Sequence, residues 1–187
     1  MTIIIGYVNK ENNSVFMSGD SRTTQDSYYD TMNVKKVFIK NDFIIGASGT
    51  LRLINILKHK FIPPKYPNRI NRLSIDEYMN TLFIDEVRLC FINNGLRQGR
   101  EPDQDYNGAF LVGYKGRLFE VGCDFAINES QLPFATLGSG SLIASGSLMT
   151  TLYDDISIEE KINKALEVTG KLDCGVGPPY YTLELTN

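Results

Sequence analysis

Helix-forming patterns in this chain arrive in pairs, separated by blocks of strands. Short β-branched stretches with polar turns fill the first fifty residues, two helical patterns follow, strands return, two more helical patterns follow, and a single strand closes the chain. A doubly wound parallel sheet would instead place one helix between successive strands. The block order predicts an α+β fold, a four-layer αββα sandwich of two mainly antiparallel sheets with a helix pair on each outer side. At 187 residues the chain has the length of one domain, taken as residues 1–187.

In detail, Thr2–Val8 and Ser14–Ser18 read as a hairpin turning at Glu11-Asn12-Asn13, and Val34–Lys40 and Phe43–Ala47 as a second pair linked by Asn41-Asp42. Four strands thus precede the first helix, Thr50–His59, whose Leu53, Ile54 and Leu57 recur at helical spacing before Pro63-Pro64. Ser74 stands three residues before Glu77, a capping-box signature for a helix running to Phe91. Phe61–Arg72 and Asn93–Asn107 read as long connections. Strands follow at Ala109–Tyr114, Arg117–Val121 and Phe134–Leu137, then helices at Ser141–Leu152 and Ser157–Thr169, the latter with Ser157 and Glu160 as another capping box. Tyr180–Leu185 is the last strand.

Charge and composition narrow the function. Lys and Arg number 19 against 22 Asp and Glu, a net charge of −3, so no positive field exists to hold nucleic acid or an anionic membrane. No apolar run approaches the roughly 20 residues of a membrane span, and no basic leader opens the chain, so a cytoplasmic protein is expected. Cys90, Cys123 and Cys174 form no CxxC pair, which argues against a disulfide framework or a zinc knuckle. No metal or cofactor is expected. His59 is the single histidine, set between Lys58 and Lys60, so chemistry needing several imidazoles has no residues to use.

Thr2 offers another route. Removal of Met1 would leave a free N-terminal threonine, whose hydroxyl is a nucleophile and whose α-amine, titrating near roughly 7.7–8.0 in model compounds, is a base. By position alone Thr2 reads equally as the β-branched start of a strand. Its company changes the reading. Hairpin pairing returns Asp20, in Gly19-Asp20-Ser21, towards the chain start, and Lys35-Lys36 opens a later strand. A lysine beside the threonine would stabilise its developing charge, and an aspartate would orient that lysine. Taken singly, Asp20 fits a turn and the lysines a solvated edge. Gly46-Ala47-Ser48-Gly49 passes from strand to helix, so its N–H groups converge where an oxyanion could sit, with Gly49 the candidate donor. Leu137-Gly138-Ser139-Gly140 is a similar junction. Alone it would suit a phosphate equally well, although the Gly-Lys-Ser/Thr of a P-loop is missing.

Together with Thr2-Ile3-Ile4, Asn33-Val34-Lys35-Lys36-Val37 and a late Gly170-Lys171-Leu172-Asp173, these stretches resemble the β-type proteasome subunits over nearly the whole chain. In length and layout the resemblance is nearest to the bacterial HslV peptidases within the N-terminal nucleophile (Ntn) hydrolases. It implies Thr2 as nucleophile and amine base, Asp20 and Lys36 as its charge partners, and the Gly49 amide as oxyanion donor. Ser139 and Asp173 would support the amine, and Ser21, Ala47 and Gly49 would meet the substrate. Lys36 is preferred to Lys35 because the family lysine is the second of the pair, and β alternation turns the two apart.

The implied activity is that of a threonine endopeptidase acting on peptides or unfolded proteins inside a homo-oligomeric ring, supplied by an AAA+ unfoldase. One departure stands out. The family places a serine and two glycines shortly after the late aspartate, whereas Asp173 is followed here by Cys174-Gly175-Val176-Gly177-Pro178. Two rival readings keep the fold: an inactive ring or assembly subunit that retains Met1, and an amidohydrolase of small amides.

Overall fold

The computed structural model describes residues 1–25, 28–31, 35–67, 73–96 and 107–186. In chain order these form β1 (Ile4–Asn9), β2 (Ser14–Gly19), β3 (Arg22–Gln25), β4 (Tyr28–Thr31), β5 (Val37–Lys40), β6 (Phe43–Gly49) and α1 (Leu51–His59). Next come α2 (Ile75–Tyr78), a π-helical turn (Met79–Phe83), α3 (Ile84–Asn93), β7 (Gly108–Tyr114), β8 (Arg117–Val121), β9 (Ile127–Glu129) and β10 (Phe134–Leu137). The chain ends with α4 (Ser141–Thr150), α5 (Ile158–Leu172) and β11 (Tyr181–Thr186).

Alternation along β1 decides how the layers stack. Ile3, Ile5 and Tyr7 face α4 and α5, packing with Leu148, Ile162 and Leu166, while Ile4 faces the other way into a middle layer with Met17, Val37, Ile44 and Leu111. The first sheet runs β10-β1-β2-β11 and the second β5-β6-β7-β8-β9, with every pairing antiparallel. Beyond the second sheet, Ile45, Leu53, Tyr78, Phe83, Phe91 and Phe110 form the largest core cluster under α1 and α3. Each large side chain so buried contributes roughly 1.5–3 kcal/mol. The sheets approach closely at Gly46, where a Cβ would lie 2.6 Å from Ile4 Cγ2. The fold is the αββα sandwich expected from the block order.

Several elements differ from the sequence reading. Six strands precede α1, not four, because β3 and β4 form a separate two-stranded ribbon. Their Thr- and Tyr-rich residues carry no apolar alternation for a pattern to reveal. β9 escapes notice for the same reason, having only three residues at a sheet edge. The helix expected from Ser74 does begin with a complete capping box but is interrupted by the π-helical turn. Buried Tyr78 and Phe83, like Met79 and Ile84, stand five residues apart, a spacing that a widened turn keeps on the core side. The expected box at Ser157 is only half made: Ser157 accepts the Glu160 N–H at 3.1 Å, and no reciprocal bond is present among the described residues. α4 stops at Thr150 and α5 continues to Leu172. Asn33 and Val34, and parts of both long connections (68–72 and 97–106), lie outside the described residues.

Candidate active site

The register of the first hairpin places Ile4 opposite Gly19, and one step further the chain start meets Asp20. The Asp20 N–H donates to Ile3 O at 3.3 Å, and the Ile3 N–H donates to Asp20 Oδ1 at 3.1 Å. Lys36 arrives from the other sheet, one residue before β5, where the Ala47 N–H donates to Lys36 O at 3.0 Å. Its ammonium makes three bonds, to Thr2 Oγ1 (2.8 Å), Asp20 Oδ1 (2.7 Å) and Arg22 O (2.7 Å). Those acceptors match its three donors. Asp20 Oδ2 takes the N–H groups of Arg22 (3.1 Å) and Gly177 (3.4 Å).

Thr2, Lys36 and Asp20 are 5%, 4% and 0% exposed, so the ion pair acts in a low-dielectric setting. Burial pushes the Lys36 ammonium below the ordinary lysine value, and the charge and hydrogen bond of Asp20 oppose that shift without cancelling it. Lys35 parts from its neighbour as alternation requires: it is exposed, with Nζ 4.7 Å from the centroid of the Tyr181 ring.

Met1 is joined to Thr2, so Thr2 N is an amide; it donates to Ser139 Oγ at 3.2 Å. Thr2 O accepts the Gly140 N–H at 3.3 Å, and the Thr2 hydroxyl donates to Met1 O at 2.6 Å. Gly138 permits this approach. It sits at φ +100°, and a Cβ there would lie 2.1 Å from Thr2 O and 3.2 Å from Ser48 Oγ. The end of β6 therefore lies beside Thr2. Gly49 ends that strand at φ +134°, exposed, opposite Gly108 and just before the α1 N-cap Thr50.

Other expected residues are placed differently. The Ala47 side chain is fully buried in the large core cluster with Leu53 and Phe110. Ser21 is buried, and its Oγ has no hydrogen-bond partner among the described residues. Cavities of about 830 and 640 Å³ lie against the α4–α5 turn and against α1, and neither is lined by Thr2, Asp20 or Lys36. Among the described residues no group of three or more His, Cys, Asp or Glu is placed to hold a metal ion, and no helix is long and apolar enough to cross a membrane. Sequence reasoning missed Arg22, whose backbone touches both Asp20 and Lys36; adjacency to Asp20 was the only local signal.

No protein-family model matches the chain. A proteasome subunit beta of Frankia alni is 29% identical over 163 residues, covering 82% of this chain and 56% of that protein. The chain thus spans a little over half the length of the curated relative it matches. The structure of Thiobacillus denitrificans BPH in complex with epoxomicin superposes with a TM-score of 0.77 at 15% identity, covering 100% of this chain and 98% of that one. Eukaryotic HslV from Trypanosoma brucei gives 0.69 at 16% identity, with 100% of both chains covered. This chain has the proteasome-like Ntn-hydrolase fold. Within that Ntn fold its departure after the late aspartate is concrete. Asp173 caps α5, its N–H donating to Thr169 O, and its Oδ1 accepts the Gly175 N–H at 2.8 Å. No hydrogen bond joins it to Thr2 or Ser139 among the described residues. Val176, in the stretch where a serine was expected, is fully buried in the core beneath α4 and α5.

Proposed function

We propose that the chain is a threonine peptidase that becomes active when the Met1–Thr2 bond is cut. The observation that carries this reading is the buried Lys36 ammonium held between Thr2 Oγ1 and Asp20 Oδ1. With Thr2 N-terminal, the free amine takes the hydroxyl proton as Oγ1 attacks a peptide carbonyl. Lys36 stabilises the charge developing on Oγ1, and the Gly49 N–H receives the oxyanion. Collapse breaks the C–N bond, the leaving amine takes the proton back, and an ester to Thr2 remains. Water then gives a proton to the amine as it attacks the ester; the acyl C–Oγ1 bond breaks, Oγ1 takes that proton from the amine, and the acid leaves. Ser139 holds the amine, Gly49, exposed at the end of β6, meets the extended substrate, and Asp173 supports the turn beside it.

The fold and the Frankia relative support peptides or unfolded proteins as substrate. The proposal includes a homo-oligomeric ring that encloses the sites, fed by an ATP-driven unfoldase in the cytoplasm. A second reading is an inactive assembly subunit in which Met1 is retained. A Cβ on Gly175 would lie 2.1 Å from Met1 Cβ, so Met1 packs on that turn, and while it stays Thr2 has no amine base.

Intact mass before and after treatment with a peptide epoxyketone separates the two readings, because the double adduct needs a hydroxyl and a free amine on one residue. The peptidase is expected to lack Met1 and to gain one adduct per chain, and Thr2→Ala is expected to gain none. A protein that keeps Met1 and takes no adduct supports the assembly subunit.

A further inference from the structure

We propose that Arg22 is a positioning residue for this site, clamping the 174–177 turn onto the Asp20–Lys36 pair. The inference rests on the threonine-peptidase reading and adds a residue to it. Three groups of Arg22 act at once. Its N–H donates to Asp20 Oδ2 at 3.1 Å, its carbonyl accepts Lys36 Nζ at 2.7 Å, and its Nη1 donates to Cys174 O at 2.9 Å. The guanidinium packs against two neighbours: Gly177, where a Cβ would stand 2.4 Å from Arg22 Cζ, and Tyr29, with Cζ 4.1 Å from the ring centroid. Only a planar cation can stack and donate in this way, so lysine is a poor substitute.

The clamped turn comes back to the same carboxylate. Gly177 N–H donates to Asp20 Oδ2 at 3.4 Å, and Ser21 N–H donates to Gly177 O at 3.4 Å. Both bonds are long, so they depend on the turn being held in place. The serine that the family resemblance implies in this stretch is missing, and Val176 is committed to the core. The guanidinium bond to Cys174 O supplies a polar anchor for the turn.

The test compares wild type, Arg22→Met, Arg22→Lys and Thr2→Ala, all with the residue before position 2 removed. Each is assayed for kcat, KM and pH–rate profile on a fluorogenic peptide, with thermal midpoints as a control. Arg22→Met is expected to lower kcat roughly 10–100-fold, the scale of a small misplacement of reacting groups, with KM changed less than about twofold. The alkaline limb is expected to move to lower pH, because a looser Asp20 supports the charged form of Lys36 less well. Among the described residues Tyr180 feels the charges of Asp20 and Arg22, and the Thr2 amine freed by removal of Met1 adjoins the pair; Arg22→Met leaves both in place. Arg22→Lys is expected to restore less than half of the lost kcat. If Arg22→Met folds poorly, Gly177→Ala displaces the guanidinium with Arg22 intact and is expected to shift the same limb. A wild-type kcat and limb in Arg22→Met, or a kcat loss with an unmoved limb, overturns the clamp while leaving the threonine reading standing. An inactive wild type, or an active Thr2→Ala, overturns both.

Discussion

Lys36 is where the chemistry concentrates at the scale of single residues. It is a buried cation whose three donors are all taken, one by the hydroxyl proposed to react. Lys36→Ala is therefore expected to lower kcat about 100–1000-fold, comparable to deleting an oxyanion donor, whereas Lys35→Ala is expected to stay within about threefold in a peptide-cleavage assay. Equal losses would contradict the assignment. The same residue sets one limb of the pH profile. Activity is expected to rise as the Thr2 amine loses its proton, and to fall as Lys36 loses its own, at a pH below the ordinary lysine value of 10.5 because burial lowers it. Asp20 was legible beside Thr2 because the first hairpin returns it to the chain start, whereas Lys36, which arrives from the other sheet, was expected there only through the family resemblance. Arg22 was not legible, because its guanidinium acts on a carbonyl 152 residues away.

Junctions between elements shape the site more than the elements do. Gly138, between β10 and α4, lets Thr2 O come in at a distance no side chain would permit. Gly138→Ala combines an unfavourable φ with a backbone clash, so it is expected to destabilise the fold by about 1–3 kcal/mol from the backbone alone and to abolish peptide cleavage; denaturant titration beside an activity assay would check both. A variant that is stable and active would mean the turn tolerates a Cβ. The sequence marked this junction as a strand-to-helix turn but could not say what it faces. The β3–β4 ribbon was invisible for a different reason, since its polar residues bury little and leave no periodic trace. Yet β3 contributes Arg22.

For the whole molecule, the two sheets matter because the site draws on both: Thr2 and Asp20 come from one, Lys36 and Gly49 from the other, and their packing sets the distances. The outer surface of α4 and the turn after it expose Leu142 (86%), Met149 (49%) and Tyr153 (95%), an apolar load compatible with the proposed oligomer. Light scattering is expected to give a multi-subunit mass for wild type and the same mass for Thr2→Ala, because Thr2 is buried within its own subunit. A monomer in both would remove the ring from the proposal.

Strand and helix blocks and the antiparallel sandwich were legible in the sequence alone, because periodicity is a local property that survives without coordinates, whereas the trio Thr2, Asp20 and Lys36 was implied by the resemblance of the motifs around them to a known family. Tertiary structure decided the rest. It buried Ala47, turned Asp173 into a cap for its own turn, seated Val176 in the core and brought Arg22 to Cys174. Each of those outcomes depends on which distant backbone arrives beside a residue, and chain order does not encode that until the sheets have packed.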